Sequence, residues 1–284
     1  GYADRIKGIT TVMLLSIALG RRFEIDWKVP FELEEIFTPV GYDWRVREEG
    51  EGADMIVMID RNFSDEIREK ISSSEIEGAL GITNNLAETY CNIYNHDCMK
   101  NENSVVDFSD YYEFLDQPNM VGSALSLFAY KPNLAESAII NNFLQFIGRF
   151  EDSIVIHFRT GGDGDWEDPS VDSPENVFKL FDYAEKVIAN SGKRTCIYFA
   201  SDSKELKNEV LKKYGGNLEV FVLNIPIFHI DRSVGKNLYY GSRFSIMENY
   251  LISMCNHILA GKGAYSVLSA NRRNQWPWRY FKTH

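Results

Sequence analysis

The chain has 284 residues and a net charge of −11, with 44% hydrophobic and 25% charged residues. These values suit a soluble globular protein with a sizeable core, and the acidic balance argues against a broad nucleic-acid or anionic-membrane surface while leaving room for a local basic pocket. No apolar run reaches the roughly eighteen residues of a bilayer span, so a soluble domain, cytoplasmic or lumenal, is expected; because Gly1 falls in the middle of an organised pattern, an upstream anchor or signal is a further expectation.

Ile6, Ile9, Thr10, Met13, Leu14, Ile17 and Ala18 follow the three-four spacing of an amphipathic helix, and Gly20 is placed to stop it. Arg22 to Trp27 reads as a strand. After a Pro-containing loop, Met55 to Ile59 is a second apolar strand ending at Asp60-Arg61-Asn62, with Ser64 as the cap of a following helix. Residues 77–82 suggest a third short strand. From Asn84 to Pro118 periodicity is weak, and loop with short helices is expected; helical pattern returns at 121–129 and over Leu134 to Phe150. Cys91 and Cys98 would bridge this loop in an oxidising compartment, whereas Cys196 and Cys255 sit in apolar runs and read as core residues.

The second half alternates more cleanly. Ser153–Phe158 is an apolar strand that runs straight into Arg159-Thr160-Gly161-Gly162-Asp163-Gly164-Asp165. Asp172-Ser173-Pro174-Glu175 starts a helix whose buried stripe is Val177, Leu180, Phe181, Ala184, Val187 and Ile188. Strand Cys196–Ala200, a Lys-rich helix closed by Gly215-Gly216, and strand Glu219–Leu223 complete a β-α-β-α-β series, which calls for a parallel sheet. A helix at Ser245–Asn256, a strand at His257–Ala260 and the turn Gly261–Ser266 end the unit. Two α/β units are therefore expected, 1–150 and 151–284, the last segment packing back on the first, with a ligand held between them.

Ligands of open α/β sheets lie outside the carboxyl ends of the strands, and five groups of residues occupy such places. His157 and Arg159 share one face at period two, and Arg159 followed by Gly161 and Gly162 offers a guanidinium fork and bare N–H groups to a phosphate. An Arg paired with a nearby Asp is the structural alternative. Gly263, Ala264, Tyr265 and Ser266 would hold a diphosphate at a helix N-terminus, or form a plain turn. Asp202 would bind a ribose or base, although Asp202 or Ser203 as a helix cap is at least as good a reading. Asp163-Gly164-Asp165 is formally a D-x-D pair for Mg²⁺ or Mn²⁺, a weak signal in an acidic chain. Asp60, at the end of a strand in the first unit, is a candidate general base.

The order of these signals resembles one family. Gly1-Tyr2-Ala3-Asp4-Arg5 with Gly20-Arg21-Arg22-Phe23-Glu24-Ile25-Asp26-Trp27 is similar to the opening of the nodulation fucosyltransferases and their α-1,6- and protein O-fucosyltransferase relatives. His157-Phe158-Arg159 resembles the family's H-x-R motif, Ala200-Ser201-Asp202-Ser203 a later strand-end motif, and Gly263–Ser266 its phosphate-closing loop. The resemblance implies a GT-B architecture of two Rossmann-like domains facing a cleft, nucleotide on the C-terminal domain and acceptor glycan mainly on the N-terminal one. It also implies that Arg159 contacts the donor diphosphate and that no metal or other cofactor is required. Asp60 would be the catalytic base of an inverting transfer, with Asp4 in reserve because it replaces a polar position of the opening motif. The sequence departs from the family at Gly161-Gly162-Asp163-Gly164, where a basic residue and then one acid are more usual. The expected donor is GDP-fucose, with UDP-xylose as the alternative and a non-catalytic nucleotide-sugar-binding module as the alternative of another class. A small hydrolase is disfavoured because no G-x-S-x-G elbow and no metal-ligand cluster occurs in the sequence.

Overall fold

In the computed structural model, residues 2–18, 22–28, 30–46, 55–59, 80–84, 91–96, 118–161, 173–225, 238–261, 263–275 and 277–279 are described. The chain forms two compact units, divided between Lys131 and Pro132. The sequence pattern placed that boundary near residue 150. It falls earlier because the helix Leu134–Ile147 packs within the second unit, where Phe143 meets the rings of Tyr198 and Phe221.

The first unit opens with α1 (Tyr2–Ala18) and β1 (Arg22–Trp27), then a short 3-10 turn (Leu33–Glu35) and β2 (Phe37–Pro39). β3 (Met55–Ile59), β4 (Leu80–Asn84), β5 (Cys91–His96), α2 (Pro118–Ser126) and β6 (Phe128–Tyr130) follow. Its sheet runs β1-β5-β4-β3, with β3 and β4 paired in parallel and β5 antiparallel to both of its neighbours, so that β1, β4 and β3 share one direction. Helix α1 covers β1, β5 and β4, burying Ile6, Ile9, Thr10 and Met13, four of the residues its spacing singles out; the side chains of Leu14, Ile17 and Ala18 lie outside the described set. Trp27 is buried at the end of β1, with the Arg5 guanidinium over its ring at 4.6 Å. β2 and β6 make a separate antiparallel ladder. Neither β5 nor this ladder was expected: the Asn- and Tyr-containing run Cys91–His96 has too little apolar alternation to read as a strand, yet it sits inside the sheet between β1 and β4.

The second unit comprises α3 (Leu134–Ile147), β7 (Asp152–Phe158), α4 (Glu175–Ser191), β8 (Thr195–Ser201), α5 (Lys204–Tyr214) and β9 (Val220–Val222). It continues through α6 (Leu238–Met254), β10 (His257–Ala260), α7 (Ala264–Asn271) and β11 (Trp278–Arg279). All five strands are parallel, in the order β11-β10-β7-β8-β9. The closing strand β11 therefore extends this sheet. Ile154, Ile156 and Phe158 of β7, with Ile197 and Phe199 of β8, face α4 and α5 and share a core with Val177, Leu180, Phe181, Ala184, Leu206, Val210 and Tyr214. The alternate residues face the other way: Tyr198 of β8 meets Phe143 of α3 and Glu248 of α6. Helices thus cover both faces, which is why β7 and β8 are buried at every position rather than alternately. Phe181, fully buried and stacked on Tyr214 at 4.4 Å, anchors the α4–α5 side.

Candidate functional site

Counted along the chain, β7, β8 and β9 run one way from the centre of the sheet, and β10 and β11 run the other. That is a doubly wound order, and the crevice at its switch point opens at the carboxyl ends of the two central strands, β7 and β10. Both candidate ligand loops start there. Ala260 is in register with His157, and the N–H of Gly261 donates to the His157 carbonyl at 3.0 Å. The loop carrying Arg159 and the turn leading to Gly263 consequently leave the sheet side by side.

The loop after β7 is shaped by Asp202. Phe158 pairs with Ser201, so the residue after each strand end lies beside the neighbouring loop. One Asp202 oxygen accepts from the Thr160 N–H at 2.8 Å and the Thr160 hydroxyl at 3.0 Å, and the other accepts from the Gly161 N–H at 3.0 Å. Gly161 adopts φ 96, a conformation that a side chain would oppose. Asp202 therefore fixes the segment next to Arg159. Ser203 takes the capping role: its hydroxyl accepts from the Leu206 N–H at 3.2 Å at the start of α5. Thr160 and Ser203, with Lys204, Glu205, Asn208, Glu209 and Lys212, line an open cleft of about 780 Å³ beside this loop.

The turn after β10 leads into α7 through Gly263, whose φ of 113 and ψ of 158 are essentially restricted to glycine. A Cβ there would meet nothing within 4 Å among the described residues. Gly263 has no side chain with which to cap the helix, and the first-turn N–H groups over Ala264, Tyr265 and Ser266 have no partner within the helix itself. Such a terminus carries partial positive charge and suits an anion. The Ser266 hydroxyl is fully buried without a hydrogen-bond partner among the described residues.

His157 joins the two loops. Its ring lies 5.2 Å from that of Tyr265, and it is 6% exposed. Burial pushes its imidazole from 6.5 down to about 4; Asp202 opposes this, and Arg159 and Lys207 add to it. It is neutral at physiological pH, so the formal positive charge of the H-x-R segment rests on Arg159. Below it lies a buried polar layer. Glu248 accepts from the Tyr198 hydroxyl at 3.3 Å, and burial raises its carboxyl from 4.5 to about 7. Lys207 is buried with its ammonium on the Leu223 carbonyl at 2.9 Å.

The structure brings His157, Arg159, Asp202, Ser203, Gly263, Ala264, Tyr265 and Ser266 to one end of one sheet. Asp60 follows the last residue of β3 and lies outside the described residues, as do Asp163, Asp165, the helix expected after Ser64 and Cys98 of the suggested bridge. Asp4 lies on α1, its side chain outside the described set. Cys196 and Cys255 are buried free thiols. Among the described residues no group of three or more His, Cys, Asp or Glu is placed to hold a metal ion, and no helix is long and apolar enough to cross a membrane. Sequence reasoning missed Glu248, Asn249 and the buried pair Glu136–Arg243, whose two contacts are each 2.7 Å. Burial opposes the Arg243 charge, but Glu136 more than offsets it and holds the guanidinium above its ordinary pKa. The one available signal was Asn133-x-x-Glu136, a capping-box spacing that the structure realises at the start of α3.

No protein-family model matches the sequence, and no curated protein matches it. Solved structures match in fold. Arabidopsis thaliana FUT1 in complex with GDP aligns over all of this chain and 69% of its own, with 10% identity and a TM-score of 0.59. The α-1,6-fucosyltransferase NodZ soaked with GDP-fucose aligns over 95% of this chain and 89% of its own, with 12% identity and a TM-score of 0.51. Fucosyltransferase NodZ from Bradyrhizobium gives 12% identity and a TM-score of 0.50, over 95% and 88%. The chain has a GT-B, fucosyltransferase-like α/β fold.

Proposed function

We propose that this protein is a glycosyltransferase that moves fucose from GDP-fucose to a hydroxyl of a glycan acceptor, with inversion and without a divalent metal. The observation that carries this is the switch point of the second unit. An Arg-bearing loop held by Asp202 and a helix start behind a positive-φ glycine emerge there together, on a fold shared with proteins solved with GDP or GDP-fucose.

In this reading the acceptor oxygen attacks the anomeric carbon while the bond from that carbon to the β-phosphate oxygen breaks, and GDP leaves with the electron pair. Arg159 and the N–H groups over Ala264–Ser266 take up the charge that develops on the diphosphate. The acceptor proton passes to a carboxylate, a role assigned to Asp60 with Asp4 as the alternative. Incubation with GDP-fucose, with UDP-xylose in parallel, tests the proposal. GDP release that is stimulated by glycan acceptors and unaffected by EDTA, giving a product of inverted anomeric configuration by NMR, is expected. Nucleotide binding without turnover of any donor would make the protein a binding module instead, and retention in the product would remove the single-displacement mechanism.

A further inference from the structure

Helix α6 is unusual in what it buries: Ser242, Arg243, Ser245, Glu248, Asn249 and Ser253 are all inside. Among them, Asn249 reaches directly to the turn that starts α7. Its side-chain amide donates to the Tyr265 carbonyl at 2.8 Å, and its own carbonyl accepts the Ser269 hydroxyl at 3.0 Å. The Tyr265 carbonyl also receives the Ser269 hydroxyl at 3.3 Å. The Tyr265 hydroxyl donates to the Ser245 carbonyl, and its ring lies against His157. Carbonyl, hydroxyl and ring of this one residue are thereby tied to α6 and to β7.

Burying a carboxamide is unfavourable unless its hydrogen bonds are made, and the Asn249 side-chain oxygen has no partner among the described residues. A leucine would fill the same fully buried volume without that cost. What asparagine adds is the donor to Tyr265. We propose that Asn249 is a positioning residue for the diphosphate: through Tyr265 it sets the first turn of α7, and so the direction of the N–H groups over Ala264–Ser266, relative to Arg159. This rests on the proposed use of that turn. Asn249 does not touch the ligand.

The test compares wild type with Asn249→Leu, and with Asn249→Ala should the leucine variant not fold, since alanine removes the donor and demands no new space. Hydrogen exchange of the 264–271 segment is measured without ligand, and affinities are measured for GDP, pyrophosphate and guanosine. Faster exchange in 264–271, with GDP and pyrophosphate weakened about tenfold and guanosine unchanged, is the expected result, a tenfold loss being the usual worth of one well-made hydrogen bond. Guanosine contacts no diphosphate site, so an equal loss for guanosine would mean a general disturbance and would overturn the proposal. Faster exchange with unchanged GDP and pyrophosphate affinity would overturn it while leaving the proposed function intact. Wild-type protein that binds neither GDP nor pyrophosphate would remove the functional reading, and the positioning role with it.

Discussion

Replacing Glu248 by Gln should make the protein more stable at alkaline pH, and the amount follows from where the carboxyl sits. Glu248 is 2% exposed, and burial raises its pKa from 4.5 to about 7, with Lys207 and the Tyr198 hydrogen bond opposing and Asp202 assisting. A raised carboxyl favours the fold while it is protonated in the native state. That contribution is complete below about pH 4.5 and is lost as the pH climbs to about 7. At ~1.4 kcal/mol per pH unit the full loss is about 3 kcal/mol, of which about 2 kcal/mol falls between pH 5.5 and 8. Gln cannot ionise, so the variant should gain that amount on wild type over that interval.

His157 has the opposite sign. Its folded pKa of about 4 lies below the unfolded 6.5, so its contribution is complete above 6.5 and is lost as the pH falls to about 4. Between 4.5 and 6.5 the unfolded state holds an extra proton on histidine and the folded state one on Glu248, and the two slopes cancel. Urea titrations at half-unit pH steps from 5 to 8.5, analysed as wild type minus variant, isolate Glu248 from every other group. Parallel curves would refute the reasoning, because they would show that Glu248 ionises alike in the folded and unfolded chain.

Arg159→Ala should weaken GDP by roughly thirty- to a thousandfold by calorimetry, with Arg159→Lys only partly restoring it and EDTA without effect; normal affinity would remove the phosphate assignment. Gly263→Val should abolish GDP binding and lower the melting temperature as well, since a side chain at φ 113 carries about 1–3 kcal/mol of strain; a variant that binds GDP normally would reduce the turn to a connector. Asp202→Ala should both destabilise the fold and reduce GDP affinity about tenfold by releasing Thr160 and Gly161, and an affinity unchanged by calorimetry would sever the loop from the ligand. Asp60→Asn should leave GDP affinity within a factor of about two to three while lowering turnover by roughly 10²- to 10⁴-fold, with Asp4→Asn as the control that would exchange the two roles.

The second unit was largely legible from its residues. Val177, Leu180, Phe181 and Ala184 have helical spacing because they meet β7 and β8, and His257–Ala260, like Arg22–Trp27 and Met55–Ile59 of the first unit, has the bounds that the sequence pattern sets. What escaped was held by partners distant in sequence. Cys91–His96 is a strand because β1 and β4 flank it, not because its own pattern demands it. Asp202 was placed at the right strand end, but its work on Thr160 and Gly161 depends on the Phe158–Ser201 register, which no local motif encodes. Helix α6 already includes Leu238, well before the expected Ser245, because what it buries ahead of Ile246 is Gly241, Ser242, Arg243 and Ser245, which make no apolar stripe.

Buried polar groups also explain how a candidate site with few recognisable letters acquires a fixed geometry. Neither candidate loop supplies its own rigidity: the one after β7 is held by a carboxylate from the end of β8, and the one after β10 by an amide and a carbonyl from α6. Between them His157, kept neutral by burial, lies against the Tyr265 ring without placing a second formal positive charge beside Arg159. A charged imidazole there would repel the guanidinium and favour a shifted loop. Acid that titrates His157 should therefore weaken binding of GDP-fucose, whose doubly esterified diphosphate gains no proton near neutral pH, only as the pH approaches about 4, and not near the 6.5 of an exposed histidine.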